Sequence, residues 1–363
     1  MATIELVNVA HQYVPGQYAV RDINLKWENG VSSALLGPSG CGKTTLLKII
    51  SGLLKPTEGD VLLDGKRVNE LSAKERNIAQ VFQFPVVYET LSVFDNLAFP
   101  LRNRGVARDL VKKRVHEIAE LLELTNVLKK NAASLGSGEK QLISLGRGVV
   151  RENMAAVLLD EPLTVIDIHQ KWHIRRKLKQ LQRQLNLTMI YVTHDQHEAL
   201  TFADQVTVMD TGIALQTGGP HDLHERPQAP FVGYFIGSPG MNIFPASYRD
   251  GTIHAWGIAI NMPQSGELSA ADSNIKVGIR PEFINVSQSD QAGHFETEVS
   301  AVHLTGTAKI LDLSGSGLSF KARVADTAQI KAGQTVWAQF PAASTIVYKD
   351  DRAVNLGTQE VTV

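Results

Sequence analysis

A glycine-rich loop between a short apolar run and a helical segment constrains this chain more than any other feature. Residues 32–51 read SSALLGPSGCGKTTLLKIIS, in which Gly37, Gly42, Lys43 and Thr44 fit the pattern G-x-x-x-x-G-K-[ST]. Such glycines let backbone N–H groups wrap a phosphate chain, and the following helix adds its positive N-terminal end. A chance Gly-rich turn is the alternative, but the flanking strand and helix disfavour it. The segment therefore predicts a nucleotide-binding P-loop in an α/β domain.

The side chains of this loop predict how a nucleoside triphosphate is held. Lys43 is expected to reach the terminal phosphates, and the Thr44 hydroxyl to be a ligand of Mg²⁺. Cys41 is interpreted either as a small filler or as a thiol whose pKa the loop amides and Lys43 lower. The predicted nucleotide contacts in the loop are Gly37, Ser39, Gly40, Cys41, Gly42, Lys43, Thr44 and Thr45.

Two acidic residues end a second apolar run. Residues 155–161 read AAVLLDE. Asp160 is placed to hold Mg²⁺, through water, and Glu161 to orient or deprotonate an attacking water. An apolar run that ends in two acids is common by itself. Beside a P-loop, it predicts a site that hydrolyses the nucleotide.

A histidine follows a third apolar run. Residues 189–200 read MIYVTHDQHEAL, and His194 stands directly after the run. A lone histidine is more often structural than catalytic. His194, however, comes after a strand end, where the ligands of parallel sheets gather. We therefore keep it as a candidate for the catalytic set.

In order and spacing, these elements resemble the ATPase subunits of ABC transporters, in the importer class that takes up sugars and polyols. The resemblance covers the whole chain and implies ATP and Mg²⁺ as cofactors. It implies that Tyr13 stacks on adenine, that residues 164–167 form the D-loop, and that His194 contacts the γ-phosphate. Gln83 resembles the Q-loop glutamine, which meets Mg²⁺ and the attacking water. The implied catalytic residues are Glu161, His194, Lys43 and Gln83, and the implied metal ligands are Thr44, Gln83 and Asp160.

The stretch SLGSGEKQL, residues 134–142, departs from the L-S-G-G-Q signature of that family. In the family, the signature serine and glycine amides contact the γ-phosphate of ATP held by the opposite subunit. Gly136 replaces that serine, Ser137 replaces a glycine, and Glu139 replaces the glutamine with a negative charge. In the D-loop, Val165 stands where asparagine is usual. The residues that serve the chain's own ATP match the family pattern.

The departures lie in the signature and the D-loop, the two segments that contribute to the ATP site of the opposite subunit in this family. This favours an asymmetric pair with a second, different ATPase chain. A homodimer with two weakened sites is the competing interpretation. A nucleotide-binding structural subunit with little or no turnover is a further alternative. A soluble P-loop kinase would explain Lys43 and Thr44, but not the Q-loop, the D-loop and the C-terminal region together.

The chain is predicted to contain an ATPase domain over residues 1–237, with a helical subdomain at about 88–154, and a second domain over 238–363. The region 84–104 is implied to grip the cytoplasmic coupling helix of a membrane permease, although ordinary packing explains any single residue equally well. The candidate contacts are Phe84, Pro85, Val86, Val87 and Tyr88.

The C-terminal region has short β-rich pieces separated by turn residues, which predict a small all-β barrel or sandwich. The stretch VGIRPEFI, residues 277–284, resembles the OB-like regulatory and dimerisation domain of sugar-importer ATPases. OB-like folds also bind nucleic acid. The balance of 36 basic against 37 acidic residues, and the lack of a basic aromatic patch, argue against that role.

The sequence also predicts where the protein works. A single cysteine excludes an internal disulfide and favours a reducing compartment. The opening residues lack a secretory pattern, and no apolar run approaches the roughly 18 residues of a spanning helix. We expect a peripheral protein on the cytoplasmic face of the cell membrane, held by its permease. The expected solute is a carbohydrate or polyol, with glycerol or glycerol phosphate as a guess, delivered by a separate solute-binding protein.

Overall fold

The computed structural model describes residues 1–249, 252–255, 258–260, 268–269, 271–315 and 317–354. Contacts divide the chain into two compact units, Met1–Pro220 and His221–Val363, which are described separately below. The domain boundary expected between residues 237 and 238 stays a prediction. In the described part of the chain, no helix is both long and apolar enough to cross a bilayer.

The first unit alternates strands and helices. Its strands are β1 (Ile4–Val14), β2 (Gln17–Trp27), β3 (Ser32–Leu36), β4 (Glu58–Leu63), β5 (Lys66–Arg67), β6 (Ala79–Val81), β7 (Val157–Asp160), β8 (Met189–Thr193), β9 (Gln205–Asp210) and β10 (Ile213–Gly218). Its helices are α1 (Lys43–Ser51), α2 (Ala73–Arg76), α3 (Val93–Arg102), α4 (Arg108–Leu121), α5 (Ser137–Val149), α6 (Ile168–Gln184) and α7 (Gln196–Phe202).

These strands form two sheets. The first has the order β2-β1-β4-β5 and is antiparallel. The second has the order β10-β9-β3-β8-β7-β6, and its strands are parallel except for β10. Both β3 and β8 are buried along their whole length, as expected of parallel strands covered on both faces. The loops that follow the parallel strands meet at one edge of this sheet.

A shared apolar core joins the two sheets to helix α1. Trp27 of β2 lies in the same cluster as Leu46 and Ile50 of α1 and Leu158 and Ile190 of the parallel sheet. All five side chains are at most 2% exposed. Burying a side chain of this size stabilises the fold by about 1.5–3 kcal/mol. The first turn of α1 is thus held rigidly against the sheet edge where the parallel strands end.

The segment between β6 and β7 is mainly helical and carries α3, α4 and α5. Helix α4 buries Val111, Val115 and Ile118 on one face, which matches the helical spacing of these apolar residues. Helix α5 packs closely on α3, because a Cβ at Gly146 would lie only 2.5 Å from Cδ2 of Leu97. This packing fixes the direction of α5, whose first residues form the altered signature.

The second unit is rich in antiparallel strands. Its elements are α8 (Pro220–Glu225), α9 (Pro230–Phe235), β11 (Asn242–Arg249), β12 (Thr252–Ala255), β13 (Ile258–Ile260), β14 (Ile275–Ile279), β15 (Asn285–Ser287), β16 (Phe295–Leu304), β17 (Ala308–Gly315), β18 (Leu318–Ala325), β19 (Thr335–Gln339), β20 (Thr345–Lys349) and β21 (Arg352–Ala353). The sheet orders are β13-β12-β11-β14-β20-β21 and β15-β19-β16-β17-β18. The predicted sequence of an α/β P-loop domain followed by a small β-rich domain is confirmed.

A buried arginine ties the helices of the second unit to its sheet. Arg280, at the end of β14, is 1% exposed. Its guanidinium donates to the carbonyl oxygens of His224 at 2.7 Å and Ile236 at 2.5 Å. Burial lowers the pKa of this guanidinium below its ordinary value. The arginine of the VGIRPEFI stretch therefore supplies donors to helix-end carbonyls that have no partner within their helices.

Candidate functional site

The predicted site residues follow neighbouring strands at one edge of the parallel sheet. Leu36 of β3 pairs with Thr193 of β8, and Asp160 of β7 pairs with Val192 of β8. Val81 of β6 pairs with Leu159 of β7. The P-loop, Glu161 and His194 each come directly after one of these paired positions, Asp160 is the last residue of β7, and Gln83 lies two residues after Val81. The fold thus brings together segments that lie far apart in the sequence.

Glycines shape the P-loop because side chains would not fit. Gly40 and Gly42 have φ values of 83° and 100°, which disfavour any residue with a Cβ. A Cβ at Gly42 would lie 2.5 Å from the carbonyl oxygen of Ala19, and one at Gly37 would lie 2.2 Å from that of Met209. Gly42 is the N-cap of α1 and has no side chain, so the first N–H groups of the helix stay available to an anion.

The side chain of Lys43 lies inside the P-loop. Its side chain is buried, and its Nζ donates to the carbonyl oxygens of Gly37 and Pro38, both at 2.8 Å. The ammonium group therefore stands at the centre of the loop, at the start of α1. A phosphate chain wrapped by the loop would meet this charge directly.

Cys41 is buried beneath the loop. Its side chain is 3% exposed, and its Sγ lies 3.5 Å from Nζ of Lys43. Burial raises the pKa of the thiol above its ordinary value, and the opposing effect of Lys43 is smaller. The interpretation that the loop lowers this pKa is therefore wrong, because loss of solvent outweighs the nearby positive charge.

The predicted nucleotide contacts Tyr13, Ser39 and Thr44 lie near the start of α1. The phenol oxygen of Tyr13, a residue that is 58% exposed, is 3.3 Å from Oγ1 of Thr45. Ser39 and Thr44 are exposed at the mouth of the loop. An exposed aromatic ring beside the first turn of α1 can stack on a base whose phosphates enter the loop.

An oxygen pair suited to Mg²⁺ forms between the P-loop helix and β7. Oγ1 of Thr44 donates to Oδ1 of Asp160 at 3.2 Å. Burial raises the pKa of the Asp160 carboxyl, the Thr44 hydroxyl opposes this shift, and the charge of Glu161 adds to it. A cation would relieve that unfavourable charge, and Mg²⁺ prefers one or two carboxylates together with phosphate oxygens and water. Within the described ranges, no cluster of three His, Cys, Asp or Glu residues forms a self-sufficient metal site.

Glu161 and His194 contact each other where the attacking water is expected. Oε1 of Glu161 lies 3.2 Å from Nδ1 of His194, and Oε2 accepts a hydrogen bond from Oγ1 of Thr164 at 3.1 Å. The backbone of Glu161 has a φ of 45°, and its N–H donates to the carbonyl oxygen of Val192 at 3.0 Å. A non-glycine residue held at positive φ is strained, and such strain concentrates at functional positions. His194 is half exposed.

Gln83 follows β6 at the same sheet edge and is half-buried. The pairing of Val81 with Leu159 places Gln83 beyond the end of β6 as Glu161 lies beyond the end of β7. This position brings the backbone of Gln83 to the sheet edge where Asp160 and Glu161 lie. Its contact with Mg²⁺ or water stays a prediction.

Sequence reasoning missed Glu198. This residue lies on α7 and contacts the strand that precedes His194. Glu198 is 4% exposed and accepts hydrogen bonds from the hydroxyls of Tyr191 and Thr193, both at 2.9 Å. Nζ of Lys171 on α6 lies 3.3 Å from its other oxygen. Thr193 in turn accepts a hydrogen bond from the backbone N–H of Asp195 at 3.0 Å. The available signal was an acid at helical spacing after His194, in the stretch HDQHE.

The altered signature begins helix α5. Gly136 is the N-cap, and its N–H donates to Oε2 of Glu139 at 3.2 Å. A Cβ at Gly136 would have only this oxygen nearby, at 4.0 Å, so packing does not exclude a serine. Gly138 faces α6, since a Cβ there would lie 2.3 Å from Oε1 of Gln170. Asp167 caps α6 by accepting from the N–H of His169 at 2.9 Å.

Comparison with known proteins assigns the family. The family model for ABC transporters matches residues 20–164, the MalK OB fold domain matches 237–284, and the TOBE domain matches 277–347. The trehalose import ATP-binding protein SugC of Mycobacterium tuberculosis is 38% identical, with 98% of each chain covered. The chain belongs to the ABC transporter family.

Other members of this family are also similar to the chain in sequence or in structure. The sn-glycerol-3-phosphate import ATP-binding protein UgpC of Pectobacterium atrosepticum is 36% identical, with 95% of this chain and 96% of the relative covered. The solved structure of CbiO1 from Clostridium perfringens, part of an ABC transporter complex, is 27% identical. It covers 61% of this chain and 89% of its own, with a TM-score of 0.57.

The family makes the chain an ABC transporter ATPase of the importer type, in which ATP hydrolysis drives import. The resemblance inferred from the motifs is confirmed, and so is the OB-like nature of the C-terminal region. Membership of this family implies that the chain binds ATP. The roles of individual residues within that site stay predictions.

Proposed function

We propose that the chain is the ATPase subunit of an importer for a carbohydrate or polyol. The observation that carries this proposal is similarity along nearly the whole chain to ATP-binding proteins named for the import of trehalose and of sn-glycerol 3-phosphate. The substrate class follows from those relatives, and glycerol or glycerol phosphate is the narrower candidate. The solute itself would be selected by the permease and by a periplasmic or extracellular solute-binding protein.

The permease would hold this subunit at the cytoplasmic face of the membrane. The region 84–104 supports this assignment because it exposes large apolar side chains beside the site. Phe84, Val86 and Tyr88 are 67%, 49% and 40% exposed. Exposed apolar side chains that are close together are typical of a protein–protein contact. A peripheral position needs no spanning helix of the chain's own.

The hydrolytic roles follow from the geometry of the site. Glu161, held by His194 and Thr164, would orient the water that attacks the γ-phosphate and accept its proton. Lys43 and the N–H groups at the start of α1 would stabilise charge on the transferred phosphoryl group. Thr44 and Asp160 would hold Mg²⁺, with Gln83 as a further ligand; the bound ion would supply charge neutralisation on the phosphate oxygens.

Uptake by the reconstituted importer tests this function. The chain would be co-expressed with the permease encoded nearest to it and inserted into vesicles with ATP enclosed and a panel of radiolabelled sugars and polyols outside, together with the solute-binding protein. Uptake of one member that requires ATP supports the proposal. Binding of ATP without turnover in the assembled transporter would instead favour a structural nucleotide-binding subunit.

We further propose that the partner ATPase is a different chain. The support is the separation between an intact set of residues around the chain's own ATP and an altered set at the start of α5. Gly136 lacks a hydroxyl, and Glu139 adds a negative charge where a partner's γ-phosphate would approach. The partner would supply an ordinary signature to this chain's Glu161. Similarity to the importer ATPases is equally compatible with two copies of this chain.

Subunit composition decides between these two assemblies. The tagged chain would be purified from its native membrane with its permease attached, and every subunit identified by mass spectrometry. A second ATPase chain with L-S-G-G-Q supports the unequal pair. Two copies of this chain alone, turning over ATP at ordinary importer rates, would refute it.

A further inference from the structure

Two arginines stand between neighbouring hollows on the first unit. One hollow is a groove of about 480 Å³ whose lining includes Phe82, Val86 and Phe99. The other is a pocket of about 300 Å³ beside helix α4. Arg104, after α3, and Arg151, after α5, line both. Any chain segment seated in the groove would therefore meet these two guanidinium groups.

The two guanidinium groups share one uncharged acceptor. Nη2 of Arg104 and Nη1 of Arg151 donate to Oδ1 of Asn77, at 2.9 Å and 3.4 Å. The amide of Asn77 is fixed in this orientation because its Nδ2 donates to the carbonyl oxygen of Asn153 at 2.7 Å. An amide oxygen can accept from both groups, but it neutralises neither charge.

Among the described residues, no carboxylate balances the charges of this pair. In the described part of the chain, no acidic side chain lies within 4.0 Å of either guanidinium, whereas the nearby Arg114 pairs with Glu117 at 3.2 Å. Glu152 lines the pocket beside α4 and is exposed. Burial lowers the pKa of Arg151, and the charge of Arg104 lowers it further. Two like charges are thus kept together where an anion would relieve both.

We propose that Arg104 and Arg151 form a carboxylate site, which receives an Asp or Glu side chain of the permease's cytoplasmic segment. The inference rests on the proposed function, in which that segment docks at region 84–104. Two guanidinium groups that converge on one oxygen match the geometry of a carboxylate. The apolar side chains of Phe82, Val86 and Phe99 that line the adjoining groove favour a peptide segment over a lipid headgroup, which would need only the charges.

Charge substitutions in the assembled transporter test the site. The variants are Arg104→Ala, Arg151→Ala and the double variant, with Arg104→Lys and Arg151→Lys as charge-preserving controls. Arg108→Ala is the matched control, because Arg108 is an exposed arginine at the start of α4 that does not line the groove. Affinity for the detergent-solubilised permease is measured at several salt concentrations, and ATP binding by the isolated chain reports on its folding.

We expect the double variant to bind the permease about 10- to 100-fold more weakly and with less dependence on salt. Arg108→Ala and the ATP affinity should not change. Arg151→Glu should also weaken assembly, and a Lys substitution at one acidic position of the permease segment should restore it. That restoration identifies the partner carboxylate.

Two results would overturn the site. One is a double variant that assembles with unchanged affinity and salt dependence while the wild-type chain binds normally. The other is normal assembly in detergent combined with lost binding to vesicles that contain anionic phospholipid, which would assign the arginines to lipid. A wild-type chain that binds no permease would instead refute the proposed function.

Discussion

At the scale of single residues, the site depends on how Glu161 is held. Its carboxylate contacts His194 at 3.2 Å and Thr164 at 3.1 Å, and its backbone is fixed at a φ of 45°. Both carboxylate oxygens are therefore oriented before any substrate binds. In the proposed mechanism, a water that approaches the sheet edge would meet an acceptor whose direction is already set, and this preorganisation would lower the barrier to proton transfer.

Replacing Glu161 with glutamine should separate binding from hydrolysis. Glu161→Gln keeps the size of the side chain but removes its ability to accept a proton, so we expect kcat to fall about 100- to 10,000-fold. The affinity for ATP should stay within a few fold, measured by titration of a fluorescent nucleotide. Thr164→Val, which removes only a hydrogen bond to the same carboxylate, is the milder control. Retained transport by Glu161→Gln would contradict this role.

The buried thiol of Cys41 makes a prediction about pH. Because burial raises its pKa, the reactive thiolate is scarcer at pH 7 than in an ordinary thiol and increases only at higher pH. N-ethylmaleimide should therefore label the native chain more slowly than the same chain unfolded in urea, and the native rate should rise at more alkaline pH. Intact-mass spectrometry follows the labelling, since the sequence has one cysteine. Faster labelling of the native chain at pH 7 would refute the raised pKa.

At the scale of elements, the histidine segment depends on a helix that lies behind it. Glu198 on α7 joins β8, through Tyr191 and Thr193, to Lys171 on α6. Burial and the charge of Glu198 keep the pKa of the Tyr191 phenol well above its ordinary value, so the phenol remains a donor. Helix α6 begins directly after residues 164–167, the predicted D-loop. The segment that carries His194 and helix α6, which follows residues 164–167, are therefore joined by one buried carboxylate.

Removing this carboxylate should affect catalysis through the position of His194. Glu198→Ala leaves two hydroxyls and an ammonium group without their acceptor, which we expect to cost about 2–4 kcal/mol in unfolding free energy. Glu198→Gln, which keeps an acceptor, should cost less and lower kcat about tenfold at unchanged ATP affinity. In a His194→Ala background, Glu198→Gln should add little further loss of kcat. Equal losses in both backgrounds would leave Glu198 a purely structural role.

The sequence predicted those parts of the site that local spacing determines. The P-loop glycines, Lys43 and the acids at the end of β7 were recognisable because each pattern lies within one short segment. The contact between Thr44 and Asp160 depends on the order of the strands. It could be expected because the ends of parallel strands lie at one edge of a sheet. The Glu198 network and the Arg104–Arg151 pair depend on contacts between segments that are distant in the sequence. Composition does not predict such contacts. The sign of the Cys41 shift was missed because burial is a property of the folded chain.

At the scale of the whole molecule, a single chain offers two unlike surfaces. The residues predicted to bind the chain's own ATP fit the family pattern, whereas the start of α5 does not. Gly136 has room for a serine, so the missing hydroxyl is not imposed by packing. Restoring the family signature is therefore feasible without disturbing the core beneath α5.

Such a restoration should raise the ATPase rate of the chain when no other ATPase is present. The triple change Gly136→Ser, Ser137→Gly and Glu139→Gln supplies a hydroxyl and removes a negative charge at the position where the family signature is expected to contact ATP. We expect a rise of about tenfold or more, since one donor to a reacting phosphate contributes that much. Phosphate release measures the rate. The same triple change combined with Glu161→Gln should give no rise, and an unchanged rate with Glu161 intact would show that the native signature is already competent.

In the unequal pair proposed above, the hydrogen bond from the Gly136 amide to Glu139 would also set the order in which the two ATP molecules bind. A carboxylate tethered so close to the amide acts as a competitor that dilution cannot remove, with an effective concentration in roughly the millimolar range or above. A γ-phosphate presented by a partner can gain this N–H only after Glu139 has left it. As the concentration of ATP rises, the pocket closed by an ordinary signature would saturate first, and the pocket closed by this chain's α5 would fill second.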